Sequence, residues 1–248
     1  EKILTVHARG KPIASEVSFT DVARLTAGFS GADLENLINE AAIFAARRDQ
    51  RTIGNLEFQD AFDRVVMGPE RKSRVMSEED KETVAYHEAG HAVVSFFLTN
   101  TDPIQKITIV PRGQAGGYVM PLPADRFVVS REYFLDRITM ALGGRASEEI
   151  FFGRITTGAS NDLQQATQIA RAMVMEYGMS DALGLPTYGR GSGNPFLGRE
   201  YGYLGDGRNY SEEAARAIDD EVRRILETSY EQSLRIVREN HDRMVKLA

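Results

Sequence analysis

Two histidines four residues apart, set in an apolar run, constrain this chain more than any other feature. The stretch is Tyr86-His87-Glu88-Ala89-Gly90-His91, flanked by Val84, Ala85, Ala92, Val93 and Phe96. Apolar residues at that spacing predict a largely buried helix. On a helix, positions four apart lie one turn up on nearly the same face, so both imidazoles can reach one ion. Glu88 is rotated by about 100° from His87. Its carboxylate can therefore sit beside the ion without binding it, and take a proton from a bound water. Zinc would lower the pKa of such a water toward about 7. The chain has only four histidines, and two of them fall in this pattern. Buried histidines and a buried glutamate need partners. Gly90 costs about 1 kcal/mol inside a helix, which points to a close approach there by backbone or substrate.

A catalytic zinc takes a third protein ligand and keeps one position open. One helix cannot easily supply three ligands. The extended HExxHxxGxxH form is absent, because Val94 stands at the glycine position. No glutamate occurs between His91 and Glu132, which leaves Asp125, Asp136, Glu148, Glu149 and Asp162, with His7 and His241 far off in sequence. Asp162 stands out in Thr157-Gly158-Ala159-Ser160-Asn161-Asp162-Leu163, in the first turn of a predicted helix. From spacing alone it either ligates the ion or merely favours the helix N-terminus.

The 248 residues suffice for one large domain or two smaller ones. The absence of cysteine excludes a disulfide framework, a thiol nucleophile and cysteine-ligated zinc. A net charge of -6 and the lack of a basic stripe argue against nucleic acid as a partner. No apolar run approaches the roughly 18 residues needed to span a bilayer. The chain opens at Glu1 without methionine or a signal-peptide pattern, so we expect a piece of a longer protein, with any membrane anchor outside it.

Along the chain, residues 1 to about 68 read as a small helical unit. Ser18 and Ser30 are each followed three residues later by aspartate, as in a capping box. Behind Ser30, Leu34, Leu37, Ile38, Ala41 and Ala45 form a 3.6-residue stripe. Asn55 is expected to cap a third helix carrying Phe58, Phe62, Val65 and Val66. Gly68-Pro69 and the charges after it mark a linker over 69–76. A cap at Ser77 with Asp80 starts the helix that runs to about Leu98. Residues 104–123 carry β-formers around a glycine-containing turn and read as a hairpin or two short strands. Helical pattern returns over 132–142 and 162–177, stopped by Gly178. Residues 184–208 read as a glycine-rich loop, and from Ser211 onward as one long helix or two.

Three motifs taken in order carry a resemblance: HEAGH at 87–91, Gly143-Gly144-Arg145-Ala146-Ser147-Glu148-Glu149, and Thr157 to Leu163. They resemble the FtsH family, membrane-anchored ATP-dependent zinc metalloproteases also called AAA proteases. Gly28-Phe29-Ser30-Gly31-Ala32-Asp33-Leu34, Asn39-Glu40-Ala41-Ala42 and the later Asn209-Tyr210-Ser211-Glu212-Glu213 fit it too. The resemblance implies a mainly α chain: a helical AAA lid over 1–68, a linker over 69–76, and a mostly helical M41-like zinc peptidase domain with a small β-hairpin over 77–248. It implies zinc ligands at His87, His91 and Asp162, Glu88 as the catalytic glutamate, and Glu148 as runner-up ligand with a supporting role. Gly31 and Ala32 match lid positions near the nucleotide. ATP and Mg²⁺ would belong to the full-length protein, since no G-x-x-x-x-G-K-[ST] occurs here.

The implied function is an endopeptidase that degrades unfolded or misassembled membrane and soluble proteins. It would work as a homo-hexamer, on the cytoplasmic face of an inner or plasma membrane or in an organellar matrix or stroma. Gly117-Tyr118-Val119 could offer substrate a strand edge, or simply cover the core. The alternative reading is a non-catalytic oligomerisation and lid module with a structural metal. Nucleotide hydrolysis by this chain alone is not expected.

Overall fold

A computed structural model of the chain describes residues 1–70, 76–112, 116–122, 126–189 and 210–248. Most of the expected linker, the tip of the expected turn, Asp125, Asn209 and most of the expected 184–208 loop lie outside the described residues.

Four helices make the N-terminal part: α1 (Lys2–His7), α2 (Phe19–Leu25), α3 (Gly31–Arg47) and α4 (Asn55–Met67). Ser18 accepts from the Asp21 amide at the start of α2. Ser30 and Asp33 form a reciprocal capping box on α3. These caps satisfy donors that a helix start otherwise leaves bare. The expected Asn55 cap is displaced by one residue. Gly54 takes the N-cap position, and the Glu57 carboxylate accepts from the Gly54 amide at 3.0 Å. Leu4, Leu37, Ile38, Ile53, Phe58 and Ala61 are buried together here. Each large apolar side chain contributes about 1.5–3 kcal/mol by leaving water. Helix α1 was not legible as a periodic pattern, being only six residues long; burial of Leu4 against this core holds it in place.

The remaining elements are α5 (Glu78–Phe97), the strands β1 (Ile104–Thr108) and β2 (Tyr118–Pro121), α6 (Arg131–Ala141), α7 (Gly143–Phe152), a 3-10 turn at Thr157–Ala159, α8 (Ser160–Met175), α9 (Glu212–Glu239) and α10 (His241–Leu247). The strands pair antiparallel, with Ile107 opposite Val119 and Thr108 opposite Tyr118. Among the described residues the chain is thus mainly α with one small sheet. Ser77 caps α5 through the Asp80 amide, as its sequence indicates. The C-terminal pattern resolves into two helices separated at Asn240. Helix α9 carries Ile218, Val222 and Ile225 into a core with Ile138, Met173 and Val174. Lower down, Val237 joins Ala89, Val93, Val94 and Ala146.

Helix α7 carries no apolar period of its own at its start, which is Gly143-Gly144. Its position is set by contact with α5. A Cβ on Gly90 would lie 2.4 Å from the Gly143 carbonyl oxygen, and one on Gly143 would lie 2.7 Å from the Gly90 carbonyl oxygen. Two facing glycines let the helix backbones touch, and Ser147 Oγ ties them by donating to the Tyr86 carbonyl at 2.7 Å. The close approach expected at Gly90 is therefore made by backbone, not substrate.

Candidate metal centre

The buried half of α5 presents His87, Glu88 and His91, each under a tenth exposed. His87 Nε2 and His91 Nε2 lie 3.1 Å apart. Asp162 Oδ2, in the first turn of α8, lies 3.2 Å from the first and 3.5 Å from the second. Among the described residues these three alone form a group able to hold a metal ion. Ligand atoms at about 2.0–2.2 Å from a tetrahedral zinc stand roughly 3.3–3.5 Å from one another, which is the size of this triangle.

Hydrogen bonding on the far side of each ring decides what faces the triangle. His91 Nδ1 is 2.8 Å from the Met140 carbonyl oxygen, which can only accept, so that nitrogen carries the proton. His87 Nδ1 is 2.7 Å from Glu148 Oε1. Burial raises the Glu148 carboxyl's pKa, but the bonds from His87 and the Thr156 amide outweigh this and hold it below the usual value. Glu148 is thus an acceptor, and His87 Nδ1 donates. Both Nε2 atoms in their neutral form then point lone pairs at each other and at a carboxylate oxygen. Three acceptors around one point require a positive charge among them. Without metal a proton supplies it. Burial disfavours the charged His87 ring, yet the bonds to Asp162 and Glu148 prevail and raise its pKa to about 9. Burial likewise acts against the Asp162 anion, and its bonds to both histidines overcome that and hold it well below the usual carboxylate range. A divalent cation satisfies all three groups at once, so the residues present fit zinc.

Glu148 does not join the triangle. Its side chain is 1% exposed and bridges two parts of the site, with Oε1 on His87 and Oε2 accepting from the Thr156 amide at 2.7 Å. Thr156 Oγ1 in turn accepts from the Gly158 amide at 3.0 Å, in the turn that leads to Asp162. Gly144 lies against the His87 ring, where a Cβ would fall 2.4 Å from Nε2. Glu88 stands outside the ligand set. Burial raises its pKa, partly offset by the histidines.

Gly117 and Tyr118 are buried, and Val119 is half-buried. A Cβ on Gly117 would lie 2.9 Å from Glu88 Oε1 and 2.7 Å from the Thr108 carbonyl oxygen, so the entry to β2 runs directly past the glutamate. Gly31 and Ala32 are exposed at the start of α3, on a helix that carries no member of the triangle. The other acidic candidates are engaged elsewhere: Asp136 accepts from Asn100, and Glu149 from Tyr230. His241 stacks on Phe151. Sequence reasoning missed the Met140 carbonyl, for which a backbone atom offers no residue signal.

Two imidazoles one turn apart, a glutamate beside them and an aspartate from a second helix define a metalloprotease of the HExxH type. Residues 74–248 match the sequence profile of peptidase family M41, and residues 16–60 that of the AAA+ lid domain. The chain belongs to peptidase family M41. It is 51% identical over 249 residues to the ATP-dependent zinc metalloprotease FtsH 1 of Thermoanaerobacter sp. (strain X514), covering 100% of this chain and 40% of that protein. It is 50% identical over 247 residues to FtsH 1 of Sphaerobacter thermophilus, covering 99% and 37%. It is 51% identical over 249 residues to FtsH of Kosmotoga olearia, covering 100% and 38%. The chain thus spans about two fifths of the length of these relatives.

Proposed function

We propose that this chain is the peptidase portion, with an attached AAA lid, of an ATP-dependent zinc endopeptidase. The observation that carries this reading is the triangle of His87 Nε2, His91 Nε2 and Asp162 Oδ2, two buried acceptors and one half-buried, with no proton assigned among them when both rings are neutral. His87, His91 and Asp162 would hold the ion. Zinc, when bound, supplies Lewis-acid polarisation of a carbonyl and lowers the pKa of water.

The chain's own groups do the rest. Glu88 takes the proton of the attacking water onto its carboxylate and delivers it to the leaving amine nitrogen. Burial works against its charged form, and the two histidines partly offset this. Glu148 fixes the His87 ring and the Met140 carbonyl fixes His91, so both lone pairs stay aimed at the ion. An extended polypeptide would add alongside Gly117-Tyr118-Val119, where the entry to β2 passes Glu88.

We assign residues 1–68 to the lid, 69–76 to a linker and 77–248 to the peptidase domain. The names of the relatives support ATP-driven action on protein substrates. In the full-length protein, Gly31 and Ala32 would border ATP and Mg²⁺. The assembly we propose is a homo-hexamer held at an inner or plasma membrane, with the peptidase on the cytoplasmic, matrix or stromal side. Among the described residues no helix is long and apolar enough to cross a membrane. The test is cleavage of unfolded casein by the zinc-loaded protein and by Glu88→Gln. That variant should bind zinc normally and lose at least about a hundredfold in rate. Undiminished cleavage would remove Glu88 as the base.

A further inference from the structure

The hairpin that passes Glu88 is also held from its other side by the N-terminal helices. Asp63 of α4 has a side chain only 3% exposed. It receives Lys106 Nζ of β1 at 2.5 Å and lies 3.8 Å from Arg112 Nη2, just beyond β1. Arg112 also bridges by backbone to Glu70 after α4. Met120 of β2 packs on the N-terminal core. The Tyr118 hydroxyl is buried beside Asp63 and Arg112, and burial together with Asp63 raises its pKa. A buried carboxylate stripped of its cations is strongly unfavourable. Any shift of α4 relative to β1 must therefore either carry the hairpin along or break these pairs. The far side is close-packed as well, since even a Cβ added at Gly117 would fall 2.9 Å from Glu88 Oε1 and 2.7 Å from the Thr108 carbonyl oxygen.

We propose that Asp63 is a positioning residue for the peptidase site: by pairing with Lys106 and Arg112 it fixes the β1–β2 hairpin against Glu88, so that the strand offered to substrate follows the helical unit that carries Asp63. This rests on the peptidase reading above. It gives the lid a direct mechanical hold on substrate alignment, without any lid residue touching the metal ligands.

The test compares the zinc-loaded chain with Asp63→Asn, Lys106→Met and the double variant. Three quantities are read: kcat and KM on an extended fluorogenic peptide, hydrogen exchange of amides 104–108 and 118–121, and zinc content. In Asp63→Asn, KM should rise roughly tenfold with kcat within about twofold, and hairpin exchange should quicken by about tenfold. Zinc content should not change. Lys106→Met should move the same quantities in the same direction, and the double variant should be no worse than Asp63→Asn, since the Lys106 pair is one of the two that Asp63→Asn already removes. Unchanged KM and hairpin exchange would overturn the proposal. So would a fall in kcat accompanied by loss of zinc, which would mark Asp63 as merely structural. If Asp63→Asn does not fold, Lys106→Met, altering a partly exposed side chain, decides the matter by the same readings. If the unaltered chain cleaves no peptide, the peptidase reading fails, and hairpin exchange still decides whether Asp63 holds the strand.

Discussion

Replacing Glu148 by glutamine changes one atom's chemistry and should cost much of the metal affinity. The carboxylate presents two acceptors to two donors, His87 Nδ1 at 2.7 Å and the Thr156 amide at 2.7 Å. An amide has a single acceptor oxygen. If its NH₂ faces His87, relief comes only by moving the ring proton from Nδ1 to Nε2, the atom that must stay bare for the ion. If it faces Thr156, the turn leading to Asp162 loses its tie. Either way a buried donor is left unsatisfied, at about 1–3 kcal/mol, and a charge-assisted bond is lost. Since about 1.4 kcal/mol is a factor of ten, zinc affinity should fall by roughly 10- to 100-fold, the range typical of groups that orient metal ligands. Competition against a chromophoric chelator measures it, with circular dichroism reporting that the helices persist. An affinity within about twofold of the unaltered protein would refute the reasoning.

Other expectations follow from the same geometry. Asp162→Ala removes one corner of the triangle and should lower zinc occupancy, read by elemental analysis; unchanged content would remove Asp162 from the ligand set. The proton on His87 competes with metal up to its pKa of about 9, so apparent zinc affinity should rise about tenfold per pH unit below that value and then level off. The sign for stability is the reverse. Because the folded pKa lies above the unfolded one near 6.5, the metal-free protein gains from His87 below the latter and loses that gain as pH climbs through about 9; thermal melts with chelator across this range would show it. Gly90→Ala drives a Cβ to 2.4 Å from the Gly143 carbonyl oxygen and should destabilise by about 1–3 kcal/mol, lowering Tm by several degrees.

The features legible in the sequence were those with a local cause. Ser18, Ser30 and Ser77 announce their helices through a side chain three residues from its partner. The α5 stripe and the hairpin show their own periods. Helix α7 did not, because Gly143-Gly144 reads as a break until α5 is seen packed against it. Asn55 yielded the cap to Gly54 because Glu57 reaches back to the Gly54 amide. At the site, the spacing of His87 and His91 pointed to one ion, while Asp162 stayed ambiguous with a helix-end role on spacing alone; the fold brings its carboxylate within 3.5 Å of both rings. Glu148 was legible as a nearby acid, not as the group on Nδ1, because its 61-residue separation from His87 carries no local signal. Asp63 was silent for a similar reason: a charge on an amphipathic helix looks solvated until β1 covers it.

The most direct measurement is zinc-edge anomalous diffraction from crystals of the zinc-loaded protein. One strong peak is expected within bonding distance of His87 Nε2, His91 Nε2 and an Asp162 oxygen, with the fourth position held by solvent. A fully metallated crystal with no peak there, or with a fourth side chain closing the site, would contradict the account.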